Sequence, residues 1–386
     1  MRRIETRLIR NQLNRSENRE HAVPLYLTSS YTFENADQMA DLFSGQQEGY
    51  VYSRYANPNV TEFGDKVADL EGVEASWVTA SGMAAVFSTF GALLCQGDEV
   101  LACRSVFGST HQLFERILPK WGIITNYVEF DKVDKWEESI TDKTKLIYLE
   151  TPTNPGVDII DLESVGLLAK KHGLLLIVDN CFATPINQRP AKFGADLVIH
   201  SATKYFDGQG RVMGGVVVGS KVLMDEIQSF ARHTGPAISP FNAWVLSKSL
   251  ETLPIRMEKH NQNALLLAKK LEQHPKVQKV KYPFLPSHPQ FEIAQKQMNG
   301  GGGILTFEVR GGLSKGKLFL NRLKMISLTA NLGDSRSIAT HPASTTHSKL
   351  TEEQRQVVGI SSGLIRISVG LEHIDDIWED IVQALA

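Results

Sequence analysis

A series of short apolar runs, alternating with longer amphipathic stretches, constrains the fold more than any other feature of the sequence. The runs are Trp77–Thr79, Glu99–Ala102, Lys145–Glu150, Leu174–Asp179, Asp196–His200 and Val216–Val218. Continuous apolar runs of this length are typical of strands buried on both faces of a mostly parallel sheet. Between two of them, Leu162–His172 has helical periodicity and is followed by Gly173, a common helix terminator. The alternation predicts an α/β layered domain.

The pattern changes near residue 250, and this change predicts a second, smaller unit of α+β character. Its predicted elements are one long helix, two strands and a closing helix: Leu250–Gln273, Ile304–Val309, Leu364–Val369 and Ile374–Ala386. The first 50 or so residues show little periodicity and predict an irregular segment. We therefore divide the chain into residues 1–52, 53–250 and 251–386.

Charge and composition argue against several classes of protein. The 386 residues include 41 basic and 43 acidic side chains, a formal charge of −2, so binding to nucleic acid or to an anionic membrane is not expected. No segment approaches the roughly 18 consecutive apolar residues of a membrane span, and the N-terminus lacks a secretory apolar region, so we expect a cytoplasmic protein. Three cysteines without a CxxC pair exclude a disulfide framework and a zinc ribbon. His341 and His347 have no third ligand nearby, and no metal site is expected.

Two residues that follow buried runs suggest cofactor chemistry. Lys204 comes shortly after the run that ends at His200, at the sheet edge where α/β proteins bind ligands. Its amine can form a Schiff base, and the hydroxyls of Ser201 and Thr203 suit a phosphate. Asp179 ends another run, where a cationic ring nitrogen such as that of pyridoxal phosphate (PLP) would be a fitting partner. Taken alone, a surface lysine and a helix-capping aspartate remain equally good readings.

A third segment, Thr79–Ala85, places Ser81 and Gly82 at the start of a predicted helix. The N–H groups and dipole of a helix N-terminus form a phosphate cradle, although Ser-Gly begins many helices. The helix start, the aspartate and the lysine follow one another in the order and spacing of a PLP enzyme.

With these segments, the chain resembles the Cys/Met-metabolism PLP-dependent enzymes of trans-sulfuration, over residues 20 to 386. The motifs that carry the resemblance are Tyr52–Pro58, Ser81–Ala85, Thr151–Pro155, Val178–Asn180, His200–Tyr205, His341–His347 and Ile365–Gly370. The resemblance implies a PLP-dependent transferase fold, with an aspartate-aminotransferase-like large domain at 53–250 and a smaller C-terminal domain at 251–386.

The resemblance also implies the roles of cofactor-binding residues. Lys204 would carry the cofactor, and Asp179 would pair with its ring nitrogen. The phosphate would be held by the segment after Ser81, through the backbone of Gly82 and Met83, and by Ser201 and Thr203. Tyr52 and Arg54 would reach the phosphate of a neighbouring subunit's cofactor, so that residues 1–52 form an arm. A homo-oligomer is therefore expected, most simply a dimer of dimers.

Substrate contacts are implied for the remaining motif residues. Asn154 would contact the cofactor's phenolic oxygen or the substrate carboxylate. Arg366, assisted by Ser337, would bind the α-carboxylate of the substrate. Small-molecule substrates are thus the expected partners.

Phe107 departs from the family pattern, because most members have a tyrosine there, stacked on the cofactor ring. Phenylalanine keeps the ring face and loses the acidic hydroxyl. A thiolate leaving group, whose thiol has a pKa near 8.5, benefits from protonation, whereas a carboxylate with a pKa near 4 departs without it. Phe107 therefore favours an O-acylhomoserine as substrate over cystathionine or methionine. Lys204, Asp179, Tyr52 and Phe107 are the candidate catalytic residues.

Arg336 is a second departure, since cystathionine γ-lyases carry glutamate at this position. An arginine would repel a distal ammonium and suit the free carboxylate of a succinyl group, although it could also point to solvent. The expected reaction is γ-replacement, in which O-succinylhomoserine and sulfide give homocysteine and succinate for methionine biosynthesis. The alternatives are a cystathionine γ-synthase, a cystathionine or methionine γ-lyase, and, remotely, an inactive assembly partner.

Overall fold

The computed structural model describes residues 2–346, 348, 351–357 and 359–386. His347, the last residue of one sequence motif, lies outside the described residues. No helix within the described part of the chain is long and apolar enough to cross a membrane.

Seven strands of the described chain form the larger sheet, and most of them are parallel. In chain order they are β1 Ala75–Thr79, β2 Glu99–Cys103, β3 Ile124–Val128, β4 Thr144–Glu150, β5 Leu175–Asp179, β6 Leu197–Ser201 and β7 Gly215–Gly219. Their spatial order is β1-β7-β6-β5-β4-β2-β3. Among these strands β7 alone points opposite to the other six, so both of its pairings, with β1 and with β6, are antiparallel. The prediction of a mostly parallel sheet is confirmed.

Both faces of the larger sheet are buried, as the continuous apolar runs predicted. Ile147 and Val178 belong to the hydrophobic cluster on one face. Leu146 and Ile177, their neighbours in the chain, belong to the cluster on the other face. Because side chains alternate along a strand, burial on both sides removes the polar positions that a half-exposed strand would show.

A smaller sheet follows in the C-terminal part of the described chain. Its strands are β8 Val277–Lys281, β9 Ile304–Val309, β10 Ser327–Leu328, β11 Ile338–Thr340 and β12 Leu364–Ser368, in the spatial order β10-β11-β12-β9-β8. Except for the parallel pair β10 and β11, neighbouring strands are antiparallel. The sheet has its own hydrophobic core, which includes Phe307, Phe319 and Ile377.

Helices surround both sheets. Those described are α1 Ile4–Arg10, α2 Ala36–Ser44, α3 Pro58–Glu71, α4 Gly82–Leu93, α5 Gly108–Gln112, α6 Leu162–His172, α7 Thr184–Asn187, α8 Lys221–Thr234, α9 Pro240–Leu250, α10 Leu253–Glu272, α11 Phe291–Gln297, α12 Gly312–Arg322, α13 Glu352–Val357 and α14 Ile374–Leu385. Short 3-10 helices span Leu118–Trp121, Val133–Ser139, Pro190–Phe193 and Pro342–Ser344, and a π-helical turn spans Leu113–Ile117.

Two sequence predictions were wrong in detail. The helix predicted over Leu250–Gln273 is two helices, because α9 ends at Leu250 and α10 begins at Leu253 with Pro254 in its first turn. Proline fits the first turn of a helix, where its missing N–H costs no hydrogen bond. The N-terminal segment predicted as irregular contains α1 and α2, which are short, and α2 buries none of its residues. The apolar face of α2 includes Met39 and Phe43, but both side chains are exposed, so this helix is not held by a core.

Candidate active site

Three neighbouring parallel strands end together at one edge of the larger sheet. β4 ends at Glu150, β5 at Asp179 and β6 at Ser201, and Lys204 follows three residues later. Glu150 and Asp179 are partners in the strand register, so their carboxyl groups belong to adjacent positions of this edge. The structure thus brings Asp179 and Lys204 to the carboxyl edge, where open α/β sheets bind ligands.

The N-terminus of α4 lies against the end of β6. The hydroxyl of Ser81 accepts the backbone N–H of Ala84 at 3.2 Å and caps the helix. A Cβ added at Gly82 would lie 2.7 Å from the Cβ of Ser201 and 3.0 Å from its Cα. Only a glycine allows this approach, because real Cβ contacts are wider. The first N–H groups of α4, at Gly82 and Met83, therefore begin beside Ser201.

Ser201 and Thr203, the two hydroxyl residues next to Lys204, have different surroundings. Thr203 Oγ1 donates to the carbonyl of Gly214 at 3.3 Å and accepts the N–H of the same residue at 3.2 Å. Ser201 is half-buried, and its backbone N–H donates to Cys181 Sγ at 2.8 Å. Thr203 is therefore engaged with the chain that leads into β7, and Ser201 faces α4.

Lys204 is half-buried, and its amine contacts the segment between β10 and β11 of the smaller sheet. Its Nζ donates to Asn331 Oδ1 at 2.8 Å. Burial, together with the nearby charge of Arg366, lowers the pKa of the Lys204 amine, while the neighbouring groups Cys181 and Asp179 act in the opposite direction. A lowered pKa favours the neutral amine, which is the nucleophilic and basic form.

Asp179 and Glu150 form a pair of enclosed carboxyl groups. Burial raises the pKa of Asp179, although the N–H that it accepts from Cys181 at 2.9 Å and the charges of His200 and Lys204 oppose this shift. Burial also raises the pKa of Glu150 well above its ordinary value, and the negative charge of Asp179 adds to the shift. Two such groups side by side cannot both ionise without a nearby cation. We assign the proton to Glu150, because its pKa is raised further above its ordinary value than that of Asp179.

Phe107 lies at the N-terminus of α5, and Glu150 holds its backbone. The N–H of Phe107 donates to Glu150 Oε1 at 2.6 Å. The Phe107 side chain is 45% exposed. The structure thus fixes the backbone of Phe107 while leaving its ring uncovered.

Arg366 enters the site from β12 of the smaller sheet and is only 5% exposed. Its Nη1 donates to Asn154 Oδ1 at 2.9 Å, and its Nη2 lies 3.4 Å from the carbonyl oxygen of Asn331. Nothing among the described residues accepts a hydrogen bond from its Nε. Burial lowers the pKa of Arg366 to about 10. A buried guanidinium whose Nε has no acceptor, and to which no described carboxylate is bonded, is suited to an anionic ligand.

Arg336 and Ser337 are occupied by acidic partners. Arg336 Nε and Nη2 donate to the two carboxylate oxygens of Asp334 at 2.8 and 2.9 Å, and its side chain is 64% exposed. The backbone N–H and the hydroxyl of Ser337 donate to Glu372 at 2.6 and 2.9 Å. The structure thus ion-pairs Arg336 at the surface, and it buries Ser337 against Glu372.

Tyr52 and Arg54 belong to a separate aromatic and basic cluster. The guanidinium of Arg54 lies 5.6 Å from the ring centre of Tyr52 and 4.8 Å from that of Tyr55. Arg54 also donates to the carbonyl of Arg232, whose guanidinium lies 3.8 Å from the Tyr55 ring centre. Tyr52 and Arg54 are both exposed. This cluster lies at the end of α8, and these contacts do not join it to Lys204.

Two residues in contact with the cluster around Lys204 were not among the sequence candidates. Glu150 could have been recognised, because it ends an apolar run as Asp179 does. Asn331 gave no such signal, since it lies in a segment between β10 and β11 with no periodicity.

A lysine, an aspartate and a helix N-terminus at the carboxyl edge of a parallel sheet are the groups that a pyridoxal-phosphate-dependent enzyme requires, and this is the class that the fold and the site fit. The chain belongs to the family described as Cys/Met metabolism PLP-dependent enzymes, whose model matches residues 5–386. The resemblance seen in the sequence, and PLP as cofactor, are thereby confirmed.

Individual relatives agree with this assignment. The chain is 46% identical over 383 residues to an O-succinylhomoserine sulfhydrylase of Pseudomonas aeruginosa, covering 99% of this chain and 95% of the relative. It is 43% identical over 364 residues to an L-methionine gamma-lyase of Pseudomonas putida, covering 94% and 92%. Among solved structures, a Campylobacter jejuni chain assigned as an O-acetylhomoserine (thiol)-lyase, which carries a pyridoxyl-lysine phosphate, superposes with a TM-score of 0.95 at 35% identity and 99% coverage of both chains.

Proposed function

We propose that this enzyme replaces the γ-acyloxy group of an O-acylhomoserine with a sulfur nucleophile, and that its preferred reaction converts O-succinylhomoserine and sulfide to homocysteine and succinate. The observation that supports this most directly is the 46% identity, over nearly the full length of both chains, to an O-succinylhomoserine sulfhydrylase. The exposed Phe107 ring, which offers no acidic hydroxyl, supports the same substrate class.

The residues at the sheet edge fit PLP. Asp179 would pair with the ring nitrogen, because its enclosed carboxyl beside Glu150 needs a cation. The N–H groups at Gly82 and Met83 would hold the phosphate, with Ser201 and Thr203, since the helix approaches Ser201 as closely as glycine permits. Lys204 would carry the cofactor through its amine.

Substrate binding and proton transfer are assigned to side chains of the protein. When bound, the cofactor supplies a ring that withdraws electrons from the substrate's Cα. Arg366, with Asn154 beside it, binds the α-carboxylate through its free Nε edge and orients the substrate. Lys204, released as an amine, removes the Cα proton and returns protons to the neighbouring carbons. The acyloxy group departs as a carboxylate and therefore needs no proton from Phe107.

The succinyl preference is the finer part of the proposal. Arg336 would receive the distal carboxylate of the succinyl group if it turned away from Asp334, with which it is now paired. Ser337, which follows Arg336 in the chain and is held by Glu372, would assist Arg366. Tyr52 and Arg54 would serve a partner subunit, and the active enzyme would be a homo-oligomer.

A matrix of substrates tests the function. Purified enzyme is assayed with O-succinyl-, O-acetyl- and unacylated homoserine against sulfide, cysteine and no nucleophile, with cystathionine and methionine as elimination substrates. We expect the highest kcat/KM for O-succinylhomoserine with sulfide. A higher value with cysteine would assign the enzyme as a cystathionine γ-synthase, and faster release of ammonia from methionine would assign it as a lyase.

A second experiment tests the cofactor anchor. Lys204→Ala should abolish both turnover and the visible absorbance of the bound cofactor, because the covalent link is lost. Borohydride reduction of the wild-type protein, followed by peptide mass spectrometry, should place the cofactor on Lys204. Attachment to any other lysine would contradict the assignment.

A further inference from the structure

Asn331 contacts two principal groups of the proposed site at once. Its side-chain oxygen accepts a hydrogen bond from the Lys204 amine at 2.8 Å. Its backbone carbonyl lies 3.4 Å from Nη2 of Arg366. The α-proton and the α-carboxylate of an amino acid are attached to the same carbon. A residue that contacts both the base and the carboxylate-binding group therefore sets their separation.

The segment that carries Asn331 is fixed tightly against Lys204. Gly333 adopts a left-handed conformation with φ of +73°, and its N–H donates to Ser368 Oγ at 2.8 Å. A Cβ at Gly333 would lie 2.7 Å from the backbone nitrogen of Tyr205 and 3.1 Å from the carbonyl carbon of Lys204. The backbone of this segment thus packs directly on the Lys204–Tyr205 peptide. Asn331 is held in place two residues before that contact.

We propose that Asn331 is a positioning residue for Lys204, whose amine it holds by one N–H so that the nitrogen lone pair stays available to the substrate's Cα proton. The inference rests on the proposed function only in taking Lys204 as the cofactor anchor and base. An amide oxygen accepts the N–H of an amine without adding a charge. A carboxylate at the same place would also hold the amine, but it would stabilise the ammonium form.

Other titratable groups near Lys204 also shift the equilibrium between its neutral amine and its ammonium form. Asp179 on β5 and Cys181 in the following turn favour the ammonium form, and Arg366 on β12 disfavours it. Burial acts in the same direction as Arg366. A neutral acceptor at residue 331 adds no charge that favours the ammonium form, whereas a carboxylate there would favour it further.

The test uses Asn331→Ala and Asn331→Asp, with Thr329→Ala as the matched control, because Thr329 is an exposed residue of the same segment. Two measurements do not depend on the departure of a leaving group. The first is the pH dependence of PLP capture by the apoprotein, with the attachment site checked by borohydride reduction and mass spectrometry. The second is exchange of the Cα proton of L-alanine, an amino acid without a γ leaving group, in deuterated water with the loaded enzyme.

For Asn331→Ala we expect α-proton exchange to slow about tenfold, the effect of losing one hydrogen bond to the base, while capture still occurs on Lys204. For Asn331→Asp, both pH profiles should move to higher pH by about one unit or more, because an opposite charge stabilises the ammonium form. Thr329→Ala should match the wild type in both measurements.

The inference is overturned if the Asn331→Asp profiles coincide with those of the wild type, or if Asn331→Ala exchanges the α-proton at the wild-type rate. Should Asn331→Asp fail to fold, the exchange rate of Asn331→Ala decides alone. Cofactor attachment to a lysine other than Lys204 in the wild type overturns the proposed cofactor anchor together with this inference. Normal attachment without an effect at Asn331 overturns this inference only.

Discussion

At the scale of single residues, we expect Phe107 to decide which leaving groups the site can serve. Its ring is exposed, and its backbone N–H is fixed by Glu150. A hydroxyl added to the ring would therefore lie in the open space beside the ring. Phe107→Tyr should leave the rate with O-succinylhomoserine nearly unchanged, because a carboxylate leaves without a proton. Elimination from cystathionine should rise, by less than the roughly hundredfold that an evolved general acid contributes.

Initial rates of both proteins on both substrates measure this effect, and Phe107→Leu serves as a control that removes the ring without adding an acid. If the wild type already cleaves cystathionine as fast as it consumes O-succinylhomoserine, the leaving-group argument is wrong.

The position of a single side chain could be predicted when the residue lies at the end of a strand that the sequence pattern indicates. Lys204 and Asp179 follow or end apolar runs, so the sequence predicted that they would share one edge of the sheet. The partners of Arg336 could not be predicted, because Asp334 lies two residues away in a segment without regular structure, where nothing in the sequence shows which way a side chain turns.

At the scale of elements, the register of β4 and β5 places Glu150 beside Asp179 and keeps a proton on Glu150. A raised pKa means that the folded protein retains this proton at pH values where the unfolded chain, with a pKa near 4.5, has lost it. Stability should therefore fall as the pH rises above about 4.5, by up to about 1.4 kcal/mol per pH unit from this group. Glu150→Gln has no proton to lose and should be free of that slope.

Urea unfolding of the wild type and of Glu150→Gln between about pH 5 and about pH 8 measures the difference. The variant should gain stability relative to the wild type as the pH rises, and Glu226→Gln, at an exposed position on α8, should not. Parallel curves for the wild type and Glu150→Gln would show that Glu150 ionises normally.

The contact between α4 and β6 gives a second prediction at this scale. Gly82→Ala would place a methyl group 2.7 Å from the Cβ of Ser201, so either the helix or the strand end must move. We expect a loss of about 1–3 kcal/mol of stability and weaker PLP binding. Gly108→Ala adds the same methyl group where no atom lies within 4 Å and is the matched control. Thermal unfolding and equilibrium dialysis with PLP distinguish them, and equal behaviour of the two variants would contradict the proposed phosphate cradle.

At the scale of the whole molecule, Tyr52 and Arg54 lie with Tyr55 and Arg232 in a cluster separate from Lys204, as residues serving another subunit would. A mixture of Arg54→Ala and Lys204→Ala proteins should therefore recover activity, because a hybrid dimer has one site with both residues intact. The recovery is measured by assaying the activity of the mixtures after mass spectrometry has shown that the subunits exchange at random. No recovery despite exchange would contradict a shared site.

The larger sheet was easier to predict than the rest of the molecule for a physical reason. Strands buried on both faces need long apolar runs, and these runs stand out in the sequence. The short helices α1 and α2, the two-residue strand β10 and the break between α9 and α10 bury little or depend on local turns. Such elements are determined by the surfaces they contact, which a single sequence does not show.

The turn between α9 and α10 separates two groups of functional side chains along the gene. Lys204 and Asp179 are encoded before this turn, and Asn331 and Arg366 after it. A crossover between relatives at Glu251–Thr252 would therefore exchange Arg366 and Asn331 as one block and leave Lys204, Asp179 and Asn154 in their own framework. Chimeras joined at this turn would therefore separate the part of substrate preference that depends on Arg336 and Arg366 from the part that depends on Phe107.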